Sequence, residues 1–270
     1  MKFFFSILFL VLVPTMAFSY NDTKVFQKIQ KDLDSIIVKD LNTKKTIFSK
    51  DANQLVSPAS LTKIMTAMLA IESKKMNNIV TITAEMKKVE PTILNFKVGE
   101  KFYLKDLVHA ALIKSANDAA TAIAIYLGNG NKQKFVNMMN AKAKKLGMKN
   151  TNFVNPCGFD AKAHKTTAND LLKLTEYAIR NKTFNSIVKL NSYAFKATNT
   201  KRLYKVHTSN KMLDRDKYVI GVKTGYTNQA GPCLIARAKK DKKDILLVML
   251  NAQNRWENTK LALNTILEKK

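Results

Sequence analysis

The sequence predicts an α/β fold of the α+β type, in which one antiparallel sheet is flanked by helices and carries an inserted helical lobe. Strand-like apolar runs occur near both ends of the chain, helical apolar periodicity runs from Leu104 to about Leu190, and the inserted lobe is expected at approximately residues 85–190. Strands from both ends are therefore expected to join one sheet, with helices covering its faces. A site between the sheet and the lobe would be the natural pocket.

Residues 1–19 predict a secretory signal peptide. Met1 and Lys2 give a short positive start, an apolar run follows from Phe3 to Val13, and small residues near Ser19 suit cleavage. An uncleaved membrane anchor is the alternative, but the run is shorter than the ~20 apolar residues that cross a bilayer. We therefore expect export to the periplasm or cell-wall space and a mature domain at residues 20–270.

The first elements of the mature chain have short-range signals. Val25, Ile29 and Leu33 follow a helical spacing, and strand-like runs at Ser35–Asp40 and Thr46–Ser49 flank a turn-like segment. The clearest helix is predicted at Ser60–Glu72, just after Pro58. Its apolar residues recur at i, i+3, i+4, i+7 and i+8: Leu61, Ile64, Met65, Met68 and Leu69.

The rest of the chain is predicted to be helical and then to return to strands. Helices are expected from Leu104 to about Leu190, with loops at 114–118, 128–131 and 155–165. Strands are predicted at Tyr218–Thr224, Leu234–Ala238 and Ile245–Leu250, followed by a helix from about Trp256 to Leu267. The apolar set of this last helix is short, so we expect it to pack on the sheet, and no stable membrane anchor is predicted.

Composition limits the classes of partner. The formal net charge is +26, but only five of the 46 basic residues are arginine, the side chain suited to bidentate phosphate and guanine contacts. Nucleic acid is therefore not an expected partner, whereas an anionic wall or membrane surface would attract the protein. Cys157 and Cys233 are equally compatible with a disulfide or with two buried thiols. No metal or other cofactor is expected.

Ser60 and Lys63 form a Ser-x-x-Lys motif that its context makes informative. Chance predicts about two such matches in this composition, and two occur, the other at Ser186 and Lys189. Ser60 opens a strongly apolar helix, so one turn places its hydroxyl beside the Lys63 amine. Burial and the helix dipole both favour the neutral amine, which can accept the serine proton. Ser60 is therefore the predicted nucleophile and Lys63 its general base.

Two further motifs accompany this pair. Lys223-Thr224-Gly225 ends a strand-like run, and chance predicts only about 0.15 such matches. Glycine at a strand end lets the backbone approach a ligand closely. Ser115-x-Asn117 lies in a loop between two predicted helices and is weak by itself.

Together the three motifs resemble the elements that line one cleft in the penicillin-recognising serine enzymes. Their spacings, 55 residues from Ser60 to Ser115 and 108 from there to Lys223, are similar to those of the low-molecular-mass penicillin-binding proteins of the D-alanyl-D-alanine carboxypeptidase family. The likeness extends to residues 57–68, 145–156 and 221–227. It implies a β-lactamase/transpeptidase-like fold.

The resemblance also implies a role for each matching residue. Ser60 would be acylated by the penultimate D-alanine of a peptidoglycan stem peptide, Lys63 would be its base, and Ser115 would relay a proton to the leaving amine. The implied substrate-binding residues are Asn117, Lys223, Thr224, Gly225, Tyr226 and, on a looser match, Arg255 as a carboxylate-binding arginine. The backbone N–H groups of Ser60 and Tyr226 would form the oxyanion hole. The implied partners are stem peptides ending in D-Ala-D-Ala, with β-lactams as covalent inhibitors.

Three other functions stay open on the sequence. The run from Ala230 to Leu234 is similar to single-domain D-alanyl-D-alanine endopeptidases, which cut crosslinks. A serine β-lactamase would share the three motifs, but the Glu-x-x-Leu-Asn setting of its deacylating glutamate is missing, because Glu176 is the one glutamate between Asn117 and Lys223. A non-catalytic wall-binding protein would also suit the charge. Many relatives carry a C-terminal β domain and a membrane anchor, and neither is expected here.

Overall fold

The centre of the molecule is a five-stranded sheet built from both ends of the chain. The computed structural model describes residues 20–268, so the predicted signal peptide lies outside the described residues. The strands are β1 (Ser35–Asp40), β2 (Thr46–Lys50), β3 (Ile79–Thr81), β4 (Lys101–Tyr103), β5 (Ser192–Lys196), β6 (Leu203–His207), β7 (Val219–Gly225), β8 (Cys233–Lys240) and β9 (Lys243–Leu250). The large sheet has the order β2-β1-β9-β8-β7 and is antiparallel throughout, which confirms the predicted antiparallel sheet.

Most helices lie between β2 and β7, and one helix lies at each end of the described chain. They are α1 (Tyr20–Ile29), α2 (Lys63–Glu72), α3 (Leu104–Ile113), α4 (Asn117–Leu127), α5 (Lys132–Lys145), α6 (Ala168–Arg180), α7 (Lys182–Ile187), α8 (Met212–Arg215) and α9 (Arg255–Leu267). The predicted α+β class, a sheet with a helical lobe, is therefore confirmed. The loop predicted at 114–118 is shorter, because α4 already begins at Asn117.

Alternate residues of the sheet face two different cores. Ile36 and Val38 of β1 point to one face, where Phe26 from α1 and residues of α9 cover them. Ile37 of β1 and Val248 of β9 point to the other face, towards the larger core that includes α2, α3 and α4. This period-2 alternation is what strands buried on both faces require. The sheet is thus the middle of three layers.

Helix α2 lies in the centre of the larger core. Seven of its ten residues are buried, among them Lys63, and its apolar side chains face in every direction. A helix that is apolar all round belongs inside a protein. Because α2 begins three residues after Ser60, the predicted nucleophile lies next to one of the most constrained elements of the fold.

Three predictions about elements were incomplete. The helix predicted to begin at Ser60 begins at Lys63, because residues Ala59–Thr62 form a 3-10 turn and Ala59 has a left-handed φ of 47°. The hairpins β3/β4 and β5/β6 were not predicted. Residues 85–103, for which no element was predicted, hold a 3-10 turn and β4, and the rings of Phe96 and Phe102 pack 4.7 Å apart there.

Candidate active site

Ser60 and Lys63 are in direct contact. The 3-10 turn brings them onto one side of the chain just as α2 starts, and Lys63 Nζ donates to Ser60 Oγ at 2.9 Å. The same amine donates to the backbone carbonyl of Cys157 at 2.7 Å. The left-handed conformation of Ala59 is uncommon for a residue with a side chain, and such conformations concentrate at functional sites.

Burial prepares Lys63 to act as a base. Its side chain has no solvent exposure. Loss of hydration lowers the pKa of Lys63 from 10.5 to about 8, against the opposing effects of Cys157 and Asp118. An amine with this pKa is partly neutral near pH 8 and can then accept the Ser60 proton.

Lys223 and Ser115 form a second buried pair. Lys223, on β7, donates from Nζ to Ser115 Oγ at 2.9 Å and to the Thr224 carbonyl at 3.0 Å. Burial, and then the charges of Lys63 and Arg255, lower the pKa of Lys223 well below its usual value. Ser115 has a φ of 67°, so the turn between α3 and α4 presents its hydroxyl from a left-handed backbone. One serine–lysine pair therefore lies at the start of α2, and the second joins the α3–α4 turn to strand β7.

The Ser-x-Asn motif is covered by residues 91–95. The Asn117 side chain donates to the carbonyl of Pro91. The carboxylate of Asp118 accepts two backbone N–H groups from residues 94 and 95, at 2.8 and 3.0 Å. Burial raises the pKa of Asp118, while these hydrogen bonds oppose the rise. Asp118 therefore ties this segment to the first turn of α4.

The end of β7 lies against the backbone of the predicted nucleophile. A Cβ atom added to Gly225 would be 3.3 Å from the Ser60 nitrogen and 3.1 Å from the Ala59 Cβ. Glycine at this position therefore allows the closest approach of the two segments. The next residue, Tyr226, is 62 % exposed. The backbones of Ser60 and Tyr226 are thus brought to the same side of the cleft.

Thr224 and Arg255 lie at this same end of β7. Thr224 Oγ1 is 2.7 Å from the hydroxyl of Ser209, a residue that was not singled out from the sequence. Arg255 Nη1 donates to the carbonyls of Gly225 at 2.7 Å and Cys233 at 3.2 Å. Burial lowers the pKa of Arg255. The looser sequence match thus lies next to the motif it was expected to serve.

The profile of a known protein family matches most of the chain. The profile of the peptidase S11 family, described as D-alanyl-D-alanine carboxypeptidase, matches residues 22–254. The chain belongs to the D-alanyl-D-alanine carboxypeptidase family.

Relatives within this family include both carboxypeptidases and endopeptidases. The chain is 30 % identical over 251 residues to the D-alanyl-D-alanine carboxypeptidase DacF of Bacillus subtilis, covering 91 % of this chain and 64 % of the relative. It is 34 % identical over 228 residues to the D-alanyl-D-alanine endopeptidase of Escherichia coli, covering 82 % and 72 %. The chain therefore spans less than two thirds of the Bacillus protein.

A solved structure with a similar sequence has the same fold. The crystal structure of the Streptomyces K15 DD-transpeptidase superimposes with a TM-score of 0.83 at 26 % identity, over 87 % of this chain and 96 % of the other. The S11 family fold thus extends over most of the described residues.

His164 supports the 3-10 turn that carries Ser60, and no pattern in the sequence pointed to it. Nδ1 of His164 accepts the Val154 N–H at 2.9 Å, so Nε2 carries the hydrogen and donates to Thr62 Oγ1 at 2.9 Å. Burial lowers the pKa of His164 to about 4. The ring is therefore neutral at physiological pH and fixes Thr62, the residue just before Lys63.

The two cysteines are free and buried. Burial raises the pKa of Cys157, and raises that of Cys233 to about 11, so both are protonated thiols near neutral pH. Of the two open alternatives, the structure therefore has the buried thiols. The Cys157 carbonyl that accepts a hydrogen bond from Lys63 was not predicted as part of the site. Its one signal in the sequence is that Cys157 directly follows residues 145–156, which resemble the family.

Within residues 20–268, no group of three or more histidine, cysteine or acidic side chains is placed to hold a metal ion. No helix in this same part of the chain is long and apolar enough to cross a membrane. The second Ser-x-x-Lys match lies in another setting: Ser186 is exposed on α7, and its hydroxyl donates to the Thr183 carbonyl at 2.8 Å.

Proposed function

We propose that the chain is a serine-type D-alanyl-D-alanine carboxypeptidase that acts on peptidoglycan stem peptides through an acyl-enzyme at Ser60. The observation that carries this proposal is the 2.9 Å contact between Ser60 Oγ and the fully buried Lys63 amine, next to the Lys223–Ser115 pair. A hydroxyl next to a base of lowered pKa is what an activated serine nucleophile needs.

In the proposed acylation step, Ser60 Oγ attacks the carbonyl carbon of the penultimate D-alanine while neutral Lys63 takes the hydroxyl proton. The backbone N–H groups of Ser60 and Tyr226 stabilise the negative charge that develops on the carbonyl oxygen, and losing one such donor typically costs ~3 kcal/mol. The proton taken by Lys63 passes through Ser115, which Lys223 holds, to the leaving amine, so that Lys63 is neutral again and Ser115 keeps its hydroxyl. The peptide C–N bond breaks, terminal D-alanine departs, and water then hydrolyses the ester.

Recognition of the substrate is assigned to the positive side of the cleft. Lys223 and Arg255 attract the terminal carboxylate, and Thr224 donates a hydrogen bond to it. Asn117 holds the amide of the stem peptide, which it reaches once its side chain is released from the Pro91 carbonyl. A cleft with several cations suits an anionic substrate, because the summed field raises its local concentration.

Residues 1–19 are proposed to direct export, with the enzyme acting in the periplasm or cell-wall space, where stem peptides lie. The charged start followed by an apolar run supports this location. N-terminal sequencing of the secreted protein tests it. A mature protein that still begins at Met1 would contradict cleavage.

Two measurements on the purified protein test the activity. Wild type is expected to form a covalent adduct with a fluorescent penicillin and to release D-alanine from a defined pentapeptide, and Ser60→Ala is expected to lose both. Because Ser186 has the same motif on an exposed helix, Ser186→Ala is the matched control and should retain both signals. Absence of an adduct with correctly folded wild type would refute the proposal.

An endopeptidase activity is the second candidate. It is favoured by the 34 % and 32 % identity to the D-alanyl-D-alanine endopeptidases of Escherichia coli and Pseudomonas aeruginosa. Incubation with crosslinked muropeptide dimers and pentapeptide monomers, followed by mass spectrometry, separates the two activities. Faster cleavage of the dimer would make the endopeptidase the main function.

A β-lactamase activity has less support. Glu176 forms an ion pair with Lys39 of β1 at 2.7 Å, so its carboxylate is engaged there. We therefore expect the penicillin adduct of Ser60 to persist. Rapid release of hydrolysed penicillin at many turnovers per minute would overturn that expectation.

A further inference from the structure

We propose that Asp160 is a positioning residue of the oxyanion hole: it fixes the Tyr226 N–H relative to Ser60 through residues 155–160, here called the bracket segment. The inference rests on the proposed function. The bracket segment lies between α5 and α6 in sequence, and it contacts both sides of the cleft.

One end of the bracket segment is bound to α2. The Cys157 carbonyl accepts from Lys63 Nζ at 2.7 Å, and the neighbouring carbonyl of Pro156 accepts from Thr66 Oγ1 at 2.7 Å. Both contacts use backbone oxygens and buried donors one turn apart on the helix. The segment is therefore fixed to the helix that carries the proposed base.

The middle of the bracket segment packs directly on the 3-10 turn that carries Ser60. Gly158 has a φ of 93°, and a Cβ atom on it would lie 1.7 Å from the Ala59 carbonyl oxygen and 2.9 Å from the Ser60 nitrogen. Such distances exclude any side chain. The Ser60 backbone is thus positioned by direct contact with residue 158.

The segment is internally rigid. The side-chain oxygen of Asn155 accepts the backbone N–H groups of Cys157, Gly158 and Phe159 at 3.1, 2.7 and 3.0 Å. One amide side chain thereby closes the turn on itself. Movement of one end of the bracket segment is therefore transmitted to the other.

The far end of the segment holds the loop that carries Tyr226. Asp160 Oδ1 accepts from Thr227 Oγ1 at 2.6 Å, and Oδ2 accepts the Gln229 N–H at 3.1 Å. The Thr227 hydroxyl accepts the Ala230 N–H at 3.1 Å in turn. The carboxylate therefore fixes residues on the C-terminal side of Tyr226, while Gly225 fixes the N-terminal side against Ser60.

The bracket segment therefore positions both proposed oxyanion donors, the N–H groups of Ser60 and Tyr226. Charge on the carbonyl oxygen develops mainly in the transition state, so a misplaced donor slows the chemical step more than it weakens substrate binding. Loosening the Tyr226 loop should therefore lower kcat and the penicillin acylation rate while KM changes little.

Thr227→Val removes the hydroxyl with little change of shape, and Thr227→Ser retains it. We expect acylation per active site to fall about tenfold or more in Thr227→Val and in Asp160→Ala, a partial loss compared with deleting a donor. Thr227→Ser should retain a rate within about threefold of wild type, and the double variant should be no slower than the slower single variant. Thr265→Val removes a half-buried hydroxyl on α9 and serves as the distant control.

Active sites are counted by the stoichiometry of the penicillin adduct, and folding is followed by the melting temperature. A purely structural role would lower the adduct yield or the melting temperature and leave the rate per active site unchanged, which would overturn the inference. Equal losses in Thr227→Val and Thr227→Ser would overturn it as well. If wild type forms no adduct, the proposed function itself fails, a result distinct from a rate change in the variants.

Discussion

At the scale of single residues, burial decides what the charged groups of the cleft can do. Lys63 and Lys223 are almost completely buried, and loss of hydration lowers the pKa of each. Each amine still has hydrogen-bond acceptors, a hydroxyl and a backbone carbonyl, which offset part of the cost of burial. Burial in the helix core thus makes Lys63 a stronger candidate base than the motif alone suggests.

The first residue-scale prediction concerns pH. Because the pKa of Lys63 is about 8, its neutral fraction grows as the pH rises through that value. Acylation of Ser60 by penicillin should therefore rise about tenfold per unit below pH 8 and level off above it. Stopped-flow acylation from about pH 6 to about pH 10 measures this. A flat profile would contradict the assignment of Lys63 as the base.

Lys63→Arg provides a second test of the same base. A guanidinium stays charged at any pH that the fold tolerates, so it cannot take the serine proton. Acylation is expected to fall by roughly 100-fold or more, the usual contribution of general-base catalysis. Penicillin labelling at fixed pH gives the rate, and circular dichroism checks that the variant is folded. A rate near that of wild type would exclude proton transfer to Lys63.

His164 predicts a pH dependence of stability. Its folded-state pKa of about 4 lies below the ordinary 6.5, so the unfolded chain takes up a proton first as the pH falls. The stabilisation is fully present above pH 6.5 and is lost progressively down to about pH 4, by up to about 3 kcal/mol. Urea unfolding of wild type and His164→Gln at pH 7 and near pH 4.5 should show a smaller pH effect in the variant. An identical pH effect in both proteins would show that His164 does not cause it.

At the scale of elements, the position of Ser60, the proposed nucleophile, depends on a short turn and on the segment packed against it. The 3-10 turn at Ala59–Thr62 and the bracket segment are both irregular, yet their backbone atoms are fixed by α2 and by Asn155. Loops held in this way by a rigid scaffold are common positions for catalytic groups.

Gly158→Ala tests the contact between these two elements. The added methyl would overlap the Ala59 carbonyl oxygen, at 1.7 Å, in a left-handed conformation that alanine disfavours. We expect a loss of stability of about 2 kcal/mol or more and a large loss of penicillin acylation. Gly130→Ala is the matched control, since its φ of 85° is similar but nothing lies within 4 Å of the added Cβ. Equal effects of the two substitutions would show that φ, and not the contact, is limiting.

Elements with local signals were predicted from the sequence, and those that depend on distant partners were not. β1 was predicted at its observed bounds, because its residues are buried on both faces. Hairpin β3/β4 was missed because about twenty residues separate its strands, so no short hairpin turn marks the pairing. In the same way, Ser60 and Lys223 were identified from motifs, whereas Asp118 and Asp160 bind backbone of remote loops that no local pattern specifies.

At the scale of the whole molecule, the sheet couples the site to the opposite face. Its strands contribute alternate residues to both cores, so neither layer of helices can separate without exposing the sheet. Arg255 belongs to α9, on the face away from α2, and it still bonds to the Gly225 carbonyl of the Lys-Thr-Gly strand.

Unfolding should therefore be a single transition. Trp256, the one tryptophan of the sequence, packs with the α1/α9 core and reports on that face. The yield of penicillin adduct reports on the other face. We expect both signals to change at the same urea concentration. An adduct yield lost well before the tryptophan fluorescence changes would show that the helical lobe opens independently.

The pairing of β1 with β9 also sets the order of events during synthesis. About two hundred residues separate the two strands, so a growing chain makes its first hairpin long before the central neighbour of that hairpin exists. Until β9 has been made, Ile37 and Val38 lack the strand that completes their pairing. The native sheet therefore assembles late, after nearly all of the described chain has left the ribosome.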